Sequence, residues 1–267
     1  MNVKELIRVS IIAFLSVSIP LYIYYGFDVN LLIPIAYDFD GIAFMSLINR
    51  VVEEGWHANS DMYGYPFGSN YHDYPEHYNG IFIFIKLFAI FTSDIAILTN
   101  LLILTSFLIN TLVCYYILVK VGIEKTLSSL GSLAFSLSPF IFLRIWYGHI
   151  GLIFIFTIPI YVYIGLSIYK NDNYSFPQRK KGYLILLVLL IMLAPFGVYY
   201  AFFGAMIFGF CGLIASLHKK RIRPFLLSTF CILGISLGVL INLVPSFMYY
   251  YENGVNEKVA NRSIASV

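Results

Sequence analysis

Charge is what this sequence has least of. Asp, Glu, Lys and Arg supply only 12% of its 267 residues, against about 25% in ordinary soluble domains. No water-soluble surface can be built from so few charges, which excludes a conventional soluble domain. The net charge of +3 is too small to point to nucleic acid as a partner. Cysteine is equally scarce: Cys114, Cys211 and Cys231 all lie inside apolar runs. They have neither the spacing of a metal site nor an even-numbered disulfide framework, and they read as small core residues. There is no internal repeat, and no small-residue cleavage site follows the first apolar stretch, which therefore reads as an uncleaved anchor.

What the sequence does have is long apolar runs, with hydrophobic types at 60%. A membrane-spanning helix needs about 20 residues. Runs of that order occur at 6–27, 95–119, 127–143, 150–169 and 225–244. The run at 183–217 is 35 residues long, which as a single helix would be about 52 Å, well beyond a hydrocarbon core of about 30 Å. Pro195 and Gly197 break it, and Arg179, Lys180 and Lys181 before it match Lys219, Lys220 and Arg221 after it. Basic flanks on one side mean an even number of passes, hence a hairpin whose first arm, 183–194, is short and reads as a full or a re-entrant arm. The run at 81–91 is only eleven residues and carries Lys86, so it reads as a helix lying on the membrane. The expectation is an all-α, polytopic transmembrane bundle of about seven spans. It forms one module over 1–267, with an external loop at 28–94 containing short interfacial helices, spans two to seven at 95–244, and an external tail at 245–267.

Lys and Arg set the orientation. With the N-terminus in the cytoplasm, twelve of the 17 fall on cytoplasmic segments, and the five outside are Arg50, Lys86, Arg144, Lys258 and Arg262. Eleven of the 14 acids then lie outside, giving an acidic outer face that favours cations.

A loop as long as 28–80 is uncommon unless it is functional or disordered, and this one is rich in aromatics. Residues 41–52 read as an amphipathic helix with Ile42, Met45, Ile48 and Val52 on one face, Asn49, Arg50 and Glu53 away from it, and Asp40 at the N-cap position. Asp38-Phe39-Asp40 opens the loop. Asp73 and Glu76, with His72 and His77, close it. A carboxylate beside a nonpolar surface can act as a general base, because partial desolvation raises its pKa. Carboxylates with histidines can also hold a divalent cation. The plainer alternatives are a helix cap and a polar interfacial patch.

The layout, together with Asp40, Gly55-Trp56, Gly64-Tyr65-Pro66-Phe67-Gly68, Tyr71-His72-Asp73-Tyr74-Pro75, Tyr147-Gly148-His149, Tyr199-Tyr200 and Asn261-Arg262-Ser263, resembles the GT-C superfamily of membrane glycosyltransferases, specifically a bacterial group of large polytopic members. These enzymes use polyprenyl-phosphate-linked sugar donors. The likeness covers almost the whole chain in layout, while its residue patterns are family-level. It implies an inverting transfer to a glycan or lipid acceptor on the outer face of the cytoplasmic membrane of a prokaryote. Asp40 would be the base, with Asp38 the second candidate. Arg144 would face the leaving phosphate. His149, Tyr199, Tyr200 and Trp56 would bind substrate, and Asp73 with His77 would hold a cation such as Mg2+ or Mn2+. An Arg reaching the headgroups and an aromatic belt account equally well for Arg144 and the tyrosines. Members of the group continue with further spans, so a chain stopping at Val267 reads as an N-terminal module or fragment, with activity alone or only within a longer protein both left open. The rival readings are a lipid-linked glycan flippase and a non-catalytic partner in polysaccharide assembly. The flippase is disfavoured because the spans hold almost no ionisable residues.

Overall fold

The computed structural model describes residues 3–72, 78–170 and 180–256. These form an all-helical protein in which six segments are long and apolar enough to cross a membrane. Four of the six are single helices, the first of them α1 (Val3–Tyr25), which opens the bundle. The loop after α1 contains α2 (Asp40–Glu53), a two-stranded antiparallel ribbon of β1 (Asn59–Ser60) and β2 (Ser69–Asn70), and α3 (Asn79–Phe88). Next comes α4 (Ile95–Val121), the second long helix, which Asp94 starts by accepting the Ile97 N–H through its side chain at 2.9 Å. The third apolar segment, Lys125–Trp146, is broken into α5 (Lys125–Ser136) and α6 (Pro139–Trp146). The break is local chemistry: Ser138 is extended, as a residue before proline is biased to be, and Pro139 opens the next helix. The fourth segment, Ile150–Lys170, starts with a 3-10 turn, Ile150–Leu152, and continues as α7 (Thr157–Lys170).

The long run after it is a helical hairpin made of α8 (Lys180–Leu193), a 3-10 turn (Ala194–Phe196) at the expected proline and glycine, and α9 (Val198–Lys219). With 14 residues, α8 is about 21 Å long and is not among the six segments able to cross. The last helix, α10 (Arg223–Asn253), does not end at Val244. It runs through Pro245 for a further two turns, so the first part of the expected tail is helix.

Helix α9 packs between α7 and α10, and α4 packs against α1 and α5. Small residues make these contacts close. A Cβ on Gly212 would meet Ser228 of α10 at 2.3 Å, and one on Gly204 would meet the Tyr161 ring of α7 at 2.7 Å. Small residues at crossings are what apolar helices use to associate where burial against lipid gives little drive.

The two ends of the bundle differ in chemistry. At one end Glu5 of α1 pairs with Lys125 at the start of α5 and accepts from Tyr115 of α4 at 2.6 Å, while Lys219 of α9 donates to the Lys170 carbonyl of α7. At the other end lie the loop, the α6–α7 turn and the start of α9. Glu5, Lys125, Lys170 and Lys219 thus share one end of the bundle. α3, ten residues long, is too short to cross, and it buries Ile81, Phe82 and Ile85 against α2 and α4.

Within α2 the buried face is Phe44, Leu47, Ile48 and Val51, an i, i+3, i+4, i+7 stripe. This corrects the expected face: Ile42 is 64% exposed, and Arg50 is buried. The Arg50 guanidinium lies 4.6 Å from the centre of the Tyr63 ring and 5.1 Å from that of Tyr71, and donates to Ser69 Oγ at 2.9 Å. It acts as the internal clasp of the loop.

Candidate functional site

The segment that delivers Asp40 is held by one side chain of α4. Buried Asn100 accepts the Ile35 N–H through Oδ1 at 2.8 Å, and through Nδ2 it faces the Tyr25 hydroxyl and the Leu31 and Ile33 carbonyls at 2.8–2.9 Å. The chain then turns into α2 through Phe39, whose φ of 50° is unusual for a non-glycine residue. Phe39, not Asp40, is the cap residue. Asp40 is the first residue of the helix, where a carboxylate also suits the helix dipole.

The turn between α6 and α7 comes to meet it. Gly148 has φ +73°, and a Cβ there would lie 1.9 Å from the Gly41 nitrogen. Only glycine permits this approach, and it puts His149 beside Asp40. His149 Nε2 is 3.1 Å from Asp40 Oδ2, and His149 Nδ1 is 3.0 Å from Arg144 Nη1. Arg144 also lies 5.0 Å from the centre of the Phe140 ring, on the same short helix.

These residues line a cavity of ≈ 710 Å3, in the range of small-molecule sites. Its walls come from α2 (Asp40, Ala43, Phe44, Leu47), the loop (Tyr71, Tyr78), α6 (Phe140, Arg144), the following turn (Gly148–Leu152) and the start of α9 (Tyr199, Tyr200, Phe203). Tyr200 is buried and its hydroxyl donates to the Leu152 carbonyl, whereas Tyr199 is exposed. Gly151 lets the Tyr78 ring sit against the turn, since a Cβ would touch that ring at 2.4 Å.

Of the residues picked from the sequence, Asp40, Arg144, His149, Tyr199 and Tyr200 thus share one cavity. Asp38 and Trp56 do not. Asp38 is exposed and contributes only its carbonyl, which accepts the Gly41 N–H at 2.9 Å. Trp56 packs inside the loop, against His57 and Phe82, with Lys86 over its ring at 5.5 Å. Asp73 and His77, and with them the acidic pocket expected to join Asp40, lie outside the described residues. Tyr71, Tyr78, Phe140 and Phe203 are lining residues that sequence reasoning did not select. The legible hint was the pair Gly148 and Gly151, two glycines three apart in a polar turn between spans.

The Asp40 carboxylate is 72% exposed, so the desolvation expected of a base against a nonpolar surface is not what surrounds it. Among the described residues no three His, Cys, Asp or Glu side chains converge, and both ring nitrogens of His149 already have partners. Beside the cavity, the loop holds His57 buried. Its Nε2 is 2.7 Å from Asn79 Oδ1, and its ring stacks on Phe82 at 4.1 Å. Burial, reinforced by the nearby charge of Arg50 and opposed by the Asn79 bond, pushes its pKa down to about 4.

The fold is that of a multi-pass helical membrane protein with a largely apolar cavity, carrying a few charged and polar groups, at one end of the bundle. No family model matches the chain, and no curated protein or solved structure matches it either.

Proposed function

We propose that this chain is a membrane glycosyltransferase of the GT-C kind, moving a sugar from a polyprenyl-phosphate-linked donor to a glycan or lipid acceptor at the outer face of the cytoplasmic membrane. One observation carries the reading: a carboxylate, Asp40, and a guanidinium, Arg144, from distant parts of the chain face one cavity at the loop end of the bundle. Displacement at an anomeric carbon calls for these two groups. The acceptor oxygen bonds to the anomeric carbon as its proton passes to the Asp40 carboxylate. The bond from that carbon to the phosphate oxygen breaks, and its electron pair leaves with the lipid phosphate. Arg144 has five N–H donors, only one of them directed at His149, and the others can stabilise the departing phosphate. Phe140, Tyr199 and Phe203 on the α6 and α9 walls are at least 40% exposed, which suits a lipid tail leaving sideways into hydrocarbon.

The test is transfer from radiolabelled polyprenyl-phosphate sugars by the chain in lipid nanodiscs. Asp40→Asn is expected to lower the rate at least about 10²-fold with membrane insertion intact. Full activity in that variant would exclude the base. Movement of the donor across liposomes that persists in Asp40→Asn would favour the flippase instead.

A further inference from the structure

We propose that His149 is a positioning residue for Asp40, held in one tautomer by Arg144, and not a substrate ligand. The inference rests on the transferase reading above for its kinetic meaning, but its geometry stands apart from that reading. Arg144 carries donors and no acceptor, so at 3.0 Å it can only donate to His149 Nδ1. That nitrogen must therefore carry the lone pair, and the ring proton belongs on Nε2. Nε2 lies 3.1 Å from Asp40 Oδ2, an ion-pair distance, and its proton is the one that faces the carboxylate. Each of the three groups has one consistent role, running from guanidinium to imidazole to carboxylate.

The consequence is a division of labour on Asp40. Oδ2 is taken by the imidazole, and Oδ1 is left to receive the acceptor proton. A carboxylate on the first turn of a helix and 72% exposed would otherwise rotate freely about χ1 and χ2. Orientation of this kind is what a base needs from a neighbour, because a misplacement of about 1 Å can cost 10²-fold in rate. His149 cannot offer a hydrogen bond to substrate without giving up one of its two partners. The Gly148 turn packs backbone against backbone at the start of α2, which fixes the ring's distance from the carboxylate. The same clasp ties the loop to the α6 end, so the arrangement is built by packing before any substrate arrives.

The experiment uses the full chain in nanodiscs with ring-15N-labelled histidine. The signal of His149 is identified, among the five histidines, by its loss in His149→Gln. The expected signature is an unprotonated Nδ1 and a protonated Nε2 whose proton resonance moves upfield in Asp40→Asn. A protonated Nδ1, or an Nε2 proton indifferent to Asp40→Asn, would overturn the proposal. In the transfer assay, His149→Phe is expected to lower kcat about 10- to 100-fold with the donor KM unchanged. His149→Gln, which keeps an N–H donor of similar reach, is expected to recover part of that loss. A raised KM with unchanged kcat in His149→Phe would make His149 a substrate ligand and refute the positioning role. If the wild-type chain transfers no sugar while the spectroscopic signature is present, the transferase reading fails and the Arg144–His149–Asp40 arrangement stands.

Discussion

Replacing Gly148 with alanine would separate two costs that usually arrive together. The first is conformational: a side chain at φ +73° costs about 1–2 kcal/mol. The second is steric. The new Cβ would lie 1.9 Å from the Gly41 nitrogen and 2.6 Å from the Asp40 carbonyl carbon, both backbone atoms that no rotamer change can relieve. Opening 1.9 Å to an ordinary contact of about 3.5 Å moves the turn by about 1.6 Å. Overpacking of this sort costs about 1–3 kcal/mol, so the total is about 2–5 kcal/mol. At about 2–4 °C per kcal/mol for a chain near this size, Tm should fall by roughly 4–20 °C. The control is Gly55→Ala, where φ is +85° and no atom lies within 4 Å of the added methyl; only the conformational cost applies. Both variants would be purified in the same detergent and unfolded thermally in parallel. The same displacement takes the His149–Asp40 contact out of hydrogen-bond range, so the His149 ring signal should change in Gly148→Ala and not in Gly55→Ala. If Gly148→Ala is no less stable than Gly55→Ala and leaves that signal untouched, the close approach of the turn to α2 is wrong, and the cavity built on it falls too.

Two further outcomes follow from the fold. His57 has its pKa lowered by burial from 6.5 to about 4, so the folded state binds fewer protons than the unfolded state between those values; its neutral form stabilises the loop fully above pH 6.5 and that contribution is lost as the pH falls toward 4, by roughly 3 kcal/mol in all. Thermal unfolding from pH 7.5 to 4 should show this acid lability, and His57→Gln should flatten it; an unchanged slope in that variant would show that another group is responsible. For orientation, a cysteine at exposed Asp61 should react with an impermeant maleimide in intact cells and one at exposed Glu124 only after permeabilisation, the native Cys114 and Cys231 being buried; the reverse pattern would invert the topology.

The apolar runs revealed most of the bundle, because a stretch of some 20 apolar residues in a chain so poor in charge has few other uses. The break at Ser138-Pro139 and the hairpin turn at Ala194–Phe196 follow from proline chemistry that can be read directly. The face of α2 could not be read in the same way. Periodicity distinguishes apolar from polar, but Ile42 and Phe44 are both apolar, and only packing decides that Phe44 stacks on Phe82 at 5.7 Å while Ile42 faces out. Arg50 was assigned to the solvent side for lack of any local sign that Tyr63, Tyr71 and Ser69 would fold back over it. Pro245 was read as an end, yet α10 continues through it, as helices in apolar surroundings can when neighbours satisfy the freed backbone groups. Asp40, Arg144 and His149 were each selectable as polar groups at the ends of apolar runs. Their meeting was not, since it depends on the approach of Gly148 to Gly41 from more than a hundred positions away.

The loop is also tied to the far end of the chain. Asn70 donates to the Tyr249 hydroxyl at 3.0 Å, the His72 ring stacks on that of Tyr249 at 4.5 Å, Tyr250 donates to the His72 carbonyl, and Asn79 Nδ2 reaches Asn242 Oδ1 at 2.9 Å. These partners are separated by 163 to 179 residues. At a synthesis rate of about 5–20 residues per second, the loop waits about 10–35 s after translation for the helix it docks on. During that interval the β1–β2 ribbon and α3 have their own contacts and those of α2 and α4, but no α10. Biogenesis of the cavity is therefore late: insertion of the early spans sets up Asp40, and only arrival of the last span gives the loop its final anchor.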